Sequence, residues 1–472
     1  MTLIDPGEIT VDPTSFVDPT GRVFSWRGEI YRAIGKDRAP FIVHLLEEVI
    51  GRDPALSEAF VETEITDLKL DGYELVLRHR RIPFRTYCTE WPSAMLKEAA
   101  LLTLQIAGRL AQHNMVLQDA HPYNVFFDGT RPYFIDLGSV VPAYDDHIWR
   151  AYDQFCAFFL NPIYLSSAGL AEVARPLLMD PINGVPGSVC SRALPFGYMC
   201  RHPRTFSRLV LPSWLGKATQ RMGLDESVRS VSTKMAARTD LARARARFLG
   251  GLEREVDRIK LPERKTHWSS YYRGEEASKS MEDLSSKDAA IRSVLSEARP
   301  ETLLDLGCNV GRYALMAAEE GIKVIASDTD EDCVGRLYRE AKSSGLDIIP
   351  LVMSAIQPTP AFGWNAQQYP AATERLRADM VLALALVHHL AIHQMQNFER
   401  IVGSLEAFTD RWLVVEFVSR EDPQASQMLA HTSRDYGWYE LDAFVNVLEA
   451  TFKKVTKCAP YSSSRTLFLC ER

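Results

Sequence analysis

Three oxygen-bearing side chains in the first half of the chain stand at a spacing that suits phosphoryl transfer. In "LQDAHPYNVFFDGTRPYFIDLGS", residues 117–139, Asp119 and Asn124 form D-x-x-x-x-N, and Asp136 follows twelve residues later at the end of an apolar run. Phosphoryl transfer calls for a carboxylate beside the attacking hydroxyl and two oxygen ligands for Mg²⁺, all at one cleft. Asp119 fits the base; Asn124 and Asp136 fit the metal ligands. In the second half, "LLDLGCNVGRYALMAA" sets Gly307 and Gly311 between an apolar strand and a helix. Glycines there let backbone approach a ligand closely, and the helix N-terminus offers N–H groups to an anionic group. The pattern D-L-G-C-N-V-G departs from the G-x-G-x-x-G of dinucleotide enzymes. Further on, His388 and His389 follow an apolar run, and imidazole titrates where a general base is useful. Packing is their alternative role. Glu416 faces the same edge and is a candidate for contact with an acceptor.

The elements that must position these residues differ between the halves. "GRVFSWRGEIYRAI" (21–34) reads as a hairpin turning near Arg27-Gly28, and residues 67–84 as a second turning at Asp71-Gly72. A short amphipathic helix lies between them. Ser93 is placed to cap a long helix whose apolar face is Met95, Leu96, Ala99, Leu102, Ile106 and Leu110. The Ala/Arg-rich stretch 236–260 reads as a solvated connecting helix, a nucleic-acid-binding helix being the alternative. From residue 287 the pattern alternates: helix 287–298, strand 302–306, helix 311–320, strand 322–327, helix 331–343, strand 347–352, strand 379–385, helix 393–407 and strand 411–417. Two strands joined by a Ser-rich turn end the chain. Such alternation predicts a mostly parallel sheet with helices on both faces.

Bulk properties bound the reading. A chain of 472 residues suggests roughly two to four domains. Net charge of −7 and a pI near 5.9 give no electrostatic reason to expect nucleic acid as the main partner. Eight scattered cysteines without C-x-x-C read as reduced thiols, neither a disulfide frame nor a zinc site. The acidic, Pro-broken beginning is unlike a signal peptide, and no apolar run is long enough for a span. The expectation is a cytoplasmic protein.

The glycine stretch resembles the first motif of class I S-adenosylmethionine methyltransferases. "ADMVLALALVHHL" (378–390) resembles their fourth-strand motif and "WLVVEFV" (412–418) their fifth strand. The resemblance implies S-adenosylmethionine held by Asp305, Gly307, Cys308, Asn309, Gly311, Asp328, Ser354 and Ala385. Within that set Asp305 orders the glycine loop, Cys308 fills space and Asp328 accepts bonds from the ribose hydroxyls. Ser354 stands where the family usually has an acid for the adenine amine. His388, His389 and Glu416 become the catalytic candidates.

In the first half, D-A-H-P-Y-N is close to the D-x-H-P-x-N of aminoglycoside and choline kinase-like folds. Parts of that pattern are missing: no glycine-rich loop, no V-A-I-K lysine, and Leu117-Gln118 before the aspartate. Arg32 is the nearest cation on a suitable strand, with Glu47 or Glu48 as partner. Arginine substitutes poorly for a compact ammonium reaching two phosphates.

Over nearly its whole length the chain resembles bacterial class I methyltransferases related to the nodulation methyltransferase NoeA, in which a kinase-like region comes first. "DPTGRVF", "EWPSAMLKEAALLTL", "DAHPYNV", "LDLGCNVGRYA" and "EFVSREDP" are among the stretches that carry this. It implies an extended arm (1–20), an α+β kinase-like domain (21–260) and an α/β, Rossmann-like methyltransferase domain (261–472). The implied acceptor is a small molecule or a glycan. Two alternatives stay open: a bifunctional kinase–methyltransferase that also uses ATP and Mg²⁺, and a non-catalytic binding pair.

Overall fold

A computed structural model describes residues 2–16, 21–144, 149–209, 240–264, 281–458, 460 and 462–472. The first half is built on an antiparallel sheet of β1 (Thr10–Val11), β2 (Gly21–Trp26), β3 (Glu29–Ile34), β4 (Thr63–Ile65) and β5 (Leu75–His79), in the order β1-β2-β3-β5-β4. Strands β2 and β3 join through Arg27 and Gly28, both at positive φ (50° and 83°), the backbone that a two-residue hairpin demands. The second expected hairpin turns at Asp71-Gly72 as expected (Gly72 φ 81°), but the strand before the turn that pairs with β5 is β4, not residues 67–70. Leu68–Lys69 pairs in parallel with Thr2–Leu3, while β5 lies between β3 and β4. Burial decides this: Leu70 joins Ile4, Phe24 and Trp26 in a small core, and that draws its strand away from β5. Residues 2–11, expected as an arm, therefore lie against the sheet, with Ile4 fully buried.

Helix α1 (Ser93–Leu110) buries the expected apolar face, with Leu102 half-buried. Ser93 is not its cap. It is the first helical residue after Pro92, and its backbone N–H donates instead to Glu331 Oε1 at 2.7 Å, in the other half of the chain. Strands β6 (Met115–Leu117), β7 (Val125–Asp128) and β8 (Arg131–Phe134) follow, β7 and β8 forming a hairpin. Helix α2 (Leu241–Arg258) is not a solvated connector. It packs on α1, burying Leu249, Leu252 and Val256, and its Glu255 pairs with Arg208 and accepts from the Tyr164 hydroxyl. The beginning of the stretch read as that connector lies outside the described residues.

The second half follows the expected alternation closely: α3 (Met281–Ala298), β10 (Thr302–Leu306), α4 (Arg312–Glu319), β11 (Lys323–Asp328), α5 (Glu331–Ser344), β12 (Ile348–Val352), β13 (Ala378–Ala383), α6 (Phe398–Glu406), β14 (Thr409–Val418), β15 (Lys454–Lys457) and β16 (Arg465–Glu471), β9 being Val140–Pro142 in the first half. The sheet order is β12-β11-β10-β13-β14-β16-β15, and β16 runs antiparallel to both its neighbours. Strand β13 stops two residues short of expectation, where Ala385 turns to φ +50°. Helices Pro423–Ala430 and Leu441–Thr451 went unread in the sequence.

The halves share one hydrophobic core. Tyr87 and Tyr123 of the first pack against Phe362 and Tyr369 of the second. Beside them Arg375 pairs with Glu90, both side chains almost fully buried, and Arg375 Nη1 donates to Glu90 Oε2 at 3.0 Å.

Candidate functional site

In an open α/β sheet, ligands bind outside the carboxyl ends of the strands, where the strand order reverses. Here the reversal lies between β10 and β13. The glycine loop 307–311 leaves β10 and the 384–389 segment leaves β13, so the topology brings both to one crevice. They touch: a Cβ on Gly307 would lie 3.1 Å from Leu386 Cδ1.

The loop is a sequence of left-handed residues, with Gly307 at φ 77°, Asn309 at 53° and Gly311 at 84°. Gly307 N and Cys308 N both donate to Ser327 O, at 2.8 and 3.0 Å. Asp328, at the end of β11, is half-buried. Its Oδ2 accepts from Asn309 N at 2.8 Å and its Oδ1 from Asp330 N at 3.0 Å. Burial raises its carboxyl above the ordinary range against the pull of those N–H donors. Asp305 lies deeper. Burial, aided by the nearby Asp328, pushes it up to about 7. Cys308 is buried in the loop, its thiol likewise raised by burial. Ser354, just past β12, accepts at Oγ from Gln357 N at 3.2 Å.

Glu416, expected at the acceptor edge, is turned inward. Its side chain is completely buried, with Oε2 2.7 Å from Lys287 Nζ and 2.5 Å from the donating Ala385 N. The buried ammonium of α3 draws it inward, and the carboxylate in turn steadies the positive-φ Ala385. The sequence reading missed Lys287. Its signal was helical spacing: it precedes Ile291, Val294 and Leu295 on the face of α3 that is buried.

His388 is fully buried, and neither ring nitrogen has a hydrogen-bond partner among the described residues. Burial, then the adjacent His389, depresses it to about 3. His389 is depressed to about 4 by burial and by His393. Both rings are neutral at pH 7. Next to them a cleft of about 500 Å³ is lined by Ile392, His393, Met395, Met428, His431 and Tyr436, among others.

In the first half the structure places Asp119 within electrostatic reach of Asp136 and ties Asn124 O to the Ile135 N–H one residue before it, but Arg32 reaches the same aspartate. Arg32 Nη1 lies 2.8 Å from Asp136 Oδ1, so its partner is neither Glu47 nor Glu48; both of those are exposed, and Glu48 pairs with Arg52. The physical reason is burial: Arg32 is 8% exposed on β3 and needs a carboxylate within reach. Asp136 Oδ1 also accepts from Gly138 N. Burial raises the Asp119 carboxyl, with Asp136 adding to the rise and His121 opposing it. Asn124 is buried, its Nδ2 without a partner among the described residues. Among those residues no group of three or more His, Cys, Asp or Glu side chains could hold a metal ion.

A seven-stranded sheet of this order with one reversed strand, a glycine loop at its switch point and an acid ending the adjacent strand form the arrangement expected from the resemblance to class I methyltransferases. No protein-family model matches the chain. It is related to the nodulation protein NoeA of Rhizobium meliloti strain 1021, with 29% identity over 465 residues, 97% of this chain and 95% of NoeA. Solved structures with partial likeness include the bifunctional kinase-methyltransferase WbdD (16% identity, TM-score 0.30, 46% of this chain and 45% of WbdD). Two others are magnesium protoporphyrin IX methyltransferase ChlM from Synechocystis PCC 6803 (14%, 0.30, 40% and 85%) and the N-methyltransferase NodS from Bradyrhizobium japonicum WM9 (13%, 0.28, 40% and 94%). The chain thus spans nearly all of NoeA and less than half of WbdD.

Proposed function

We propose that the chain transfers a methyl group from S-adenosylmethionine to an oxygen or nitrogen of a small-molecule or glycan acceptor, with the kinase-like half as a non-catalytic scaffold. The observation that carries the reading is the glycine loop at the switch point, with left-handed residues at 307, 309 and 311, tied to Asp328 at the end of the adjacent β11. The donor set suits the cofactor: loop backbone for the methionine end, Asp328 for the ribose, Ser354 beside the adenine. Because Ser354 already caps Gln357, its bond to an adenine amine is the weaker partner. When bound, the sulfonium supplies an activated methyl.

The chain's own residues then orient the reactants, and good orientation alone supplies up to about 7–11 kcal/mol of a barrier. Lys287 and Glu416 hold Ala385 at the pocket wall. The cleft lined by Ile392, His393, Met395 and Tyr436 admits an acceptor with an apolar part, and the neutral, weakly basic His388 and His389 precede its wall in the chain. A reduced, cytoplasmic setting agrees with eight free cysteines and with the absence, among the described residues, of a helix long and apolar enough to cross a membrane. The two working units are residues up to 260, with the initial segment packed on their sheet, and residues 261–472. Kinase chemistry would require Asp136 to exchange Arg32 for a metal, so the scaffold reading is preferred to the bifunctional one.

Calorimetric titration of S-adenosylhomocysteine tests the proposal. Binding to the wild type, weakened by roughly 2–4 kcal/mol in Asp328→Ala, is expected because bonds to a charged acceptor are lost. A wild type that does not bind removes the reading. The same titration with Mg-ATP is expected to give no heat, and a metal-dependent isotherm lost in Asp136→Asn would restore the bifunctional alternative.

A further inference from the structure

Helix α5 has two working faces. One docks on the first half of the chain: Glu331 accepts the Ser93 N–H at 2.7 Å and pairs with Arg175, the Tyr338 hydroxyl donates to Thr130 O at 3.2 Å, and Lys342 Nζ lies 2.7 Å from Glu98. The other face forms the back of the glycine loop. Leu337, fully buried, lies so near Gly311 that a Cβ there would be 2.4 Å from its Cδ1, and Cys333 Sγ is 3.8 Å from Asn309 Oδ1. The helix also begins in the Asp328 turn. Asp330, whose N–H binds Asp328, caps α5 by accepting from Asp332 N and Cys333 N. A third tie reaches the adenine side, where Val352 N donates to Glu90 O at 2.6 Å and Met353 N to Asp328 O at 2.9 Å, one residue before Ser354.

We propose that Glu331 is a positioning residue for the cofactor pocket: through Ser93 and Arg175 the N-terminal half sets where α5 lies, and α5 sets the glycine loop and the Asp328 turn. The inference rests on the reading of this crevice as the S-adenosylmethionine site. Close packing transmits such a shift because there is no slack between Leu337 and Gly311. Such sensitivity has a known scale in catalysis, where a misplacement of about 1 Å from a remote change can cost on the order of a hundredfold in rate.

The test is the dissociation constant of S-adenosylhomocysteine, measured by calorimetry well below each variant's unfolding temperature on the full chain. Glu331→Ala is expected to weaken binding by about tenfold or more while far-UV circular dichroism stays native, and Glu331→Gln, which keeps an acceptor for the Ser93 N–H, to return it to within about threefold. Ser93→Pro deletes the same N–H from the other side. It does so at a first helical position that tolerates proline, after a Pro92 already extended (φ −62°, ψ 154°). It is expected to reproduce the alanine result, and it decides alone if Glu331→Ala fails to fold. Wild-type affinity in both Glu331→Ala and Ser93→Pro overturns the inference and leaves the cofactor site standing. No binding by the wild type removes the cofactor site itself.

Discussion

His388 pairs complete burial with two ring nitrogens that the described residues leave without partners. The fold therefore carries it neutral, with a pKa of about 3 against 6.5 when unfolded. Between those values the unfolded chain binds the additional proton, so stability is full above about 6.5 and is lost as pH falls toward 3. His79 on β5, also depressed to about 3 by burial and by Arg32, adds to the same window. Asp305 works the other way. Raised from 3.8 to about 7, its contribution is present below 3.8 and fades as pH rises through 7. His388→Gln isolates the first effect: the fall of melting temperature between pH 6.5 and 4.5 is expected to be shallower than in the wild type. An unchanged slope would show that the imidazole titrates normally in the folded protein. Residue identity made the histidines legible in the sequence; their depressed basicity was not, because it comes from side chains that meet only through folding. Glu416 shows the same limit. Its position at the strand end could be read, but not the buried lysine that claims it.

At the scale of elements, the second half was legible nearly strand for strand because apolar runs and glycine turns are local signals. The first half was less so. The first strand of its second expected hairpin pairs with residues 2–3 instead, and its Arg/Ala-rich helix proved to be packed; both outcomes depend on partners distant in sequence. The loop between β10 and α4 offers the sharpest test of an element. Gly311→Ala places a Cβ at φ +84° against the buried Leu337, combining about 1–3 kcal/mol of backbone strain with a similar cost of overpacking. Urea denaturation is expected to show a loss of about 2–6 kcal/mol, and a variant as stable as the wild type would mean that the loop is not held as described.

For the whole molecule, the buried Glu90–Arg375 pair joins the two halves and is costly to break from one side. Arg375 also donates to Arg85 O at 2.7 Å and stacks over the Tyr87 ring at 4.4 Å. Arg375→Met removes the buried counter-charge of Glu90, leaving it the Tyr87 N–H, with an expected cost of about 3–5 kcal/mol. Tryptophan fluorescence and far-UV circular dichroism should then report separate unfolding transitions as the halves lose their common cooperativity. Coincident transitions at wild-type stability would show the pair to be dispensable. The aromatic seam of Tyr87, Tyr123, Phe362 and Tyr369 has a consequence for how such a chain is inherited or rebuilt. Neither half is a portable cassette: a graft cut between residues 260 and 281 would bare a sticky ring-lined face on each fragment. Recombination that preserves the protein has to carry the 85–91 and 362–375 segments together as one unit of descent, though 270 residues separate them.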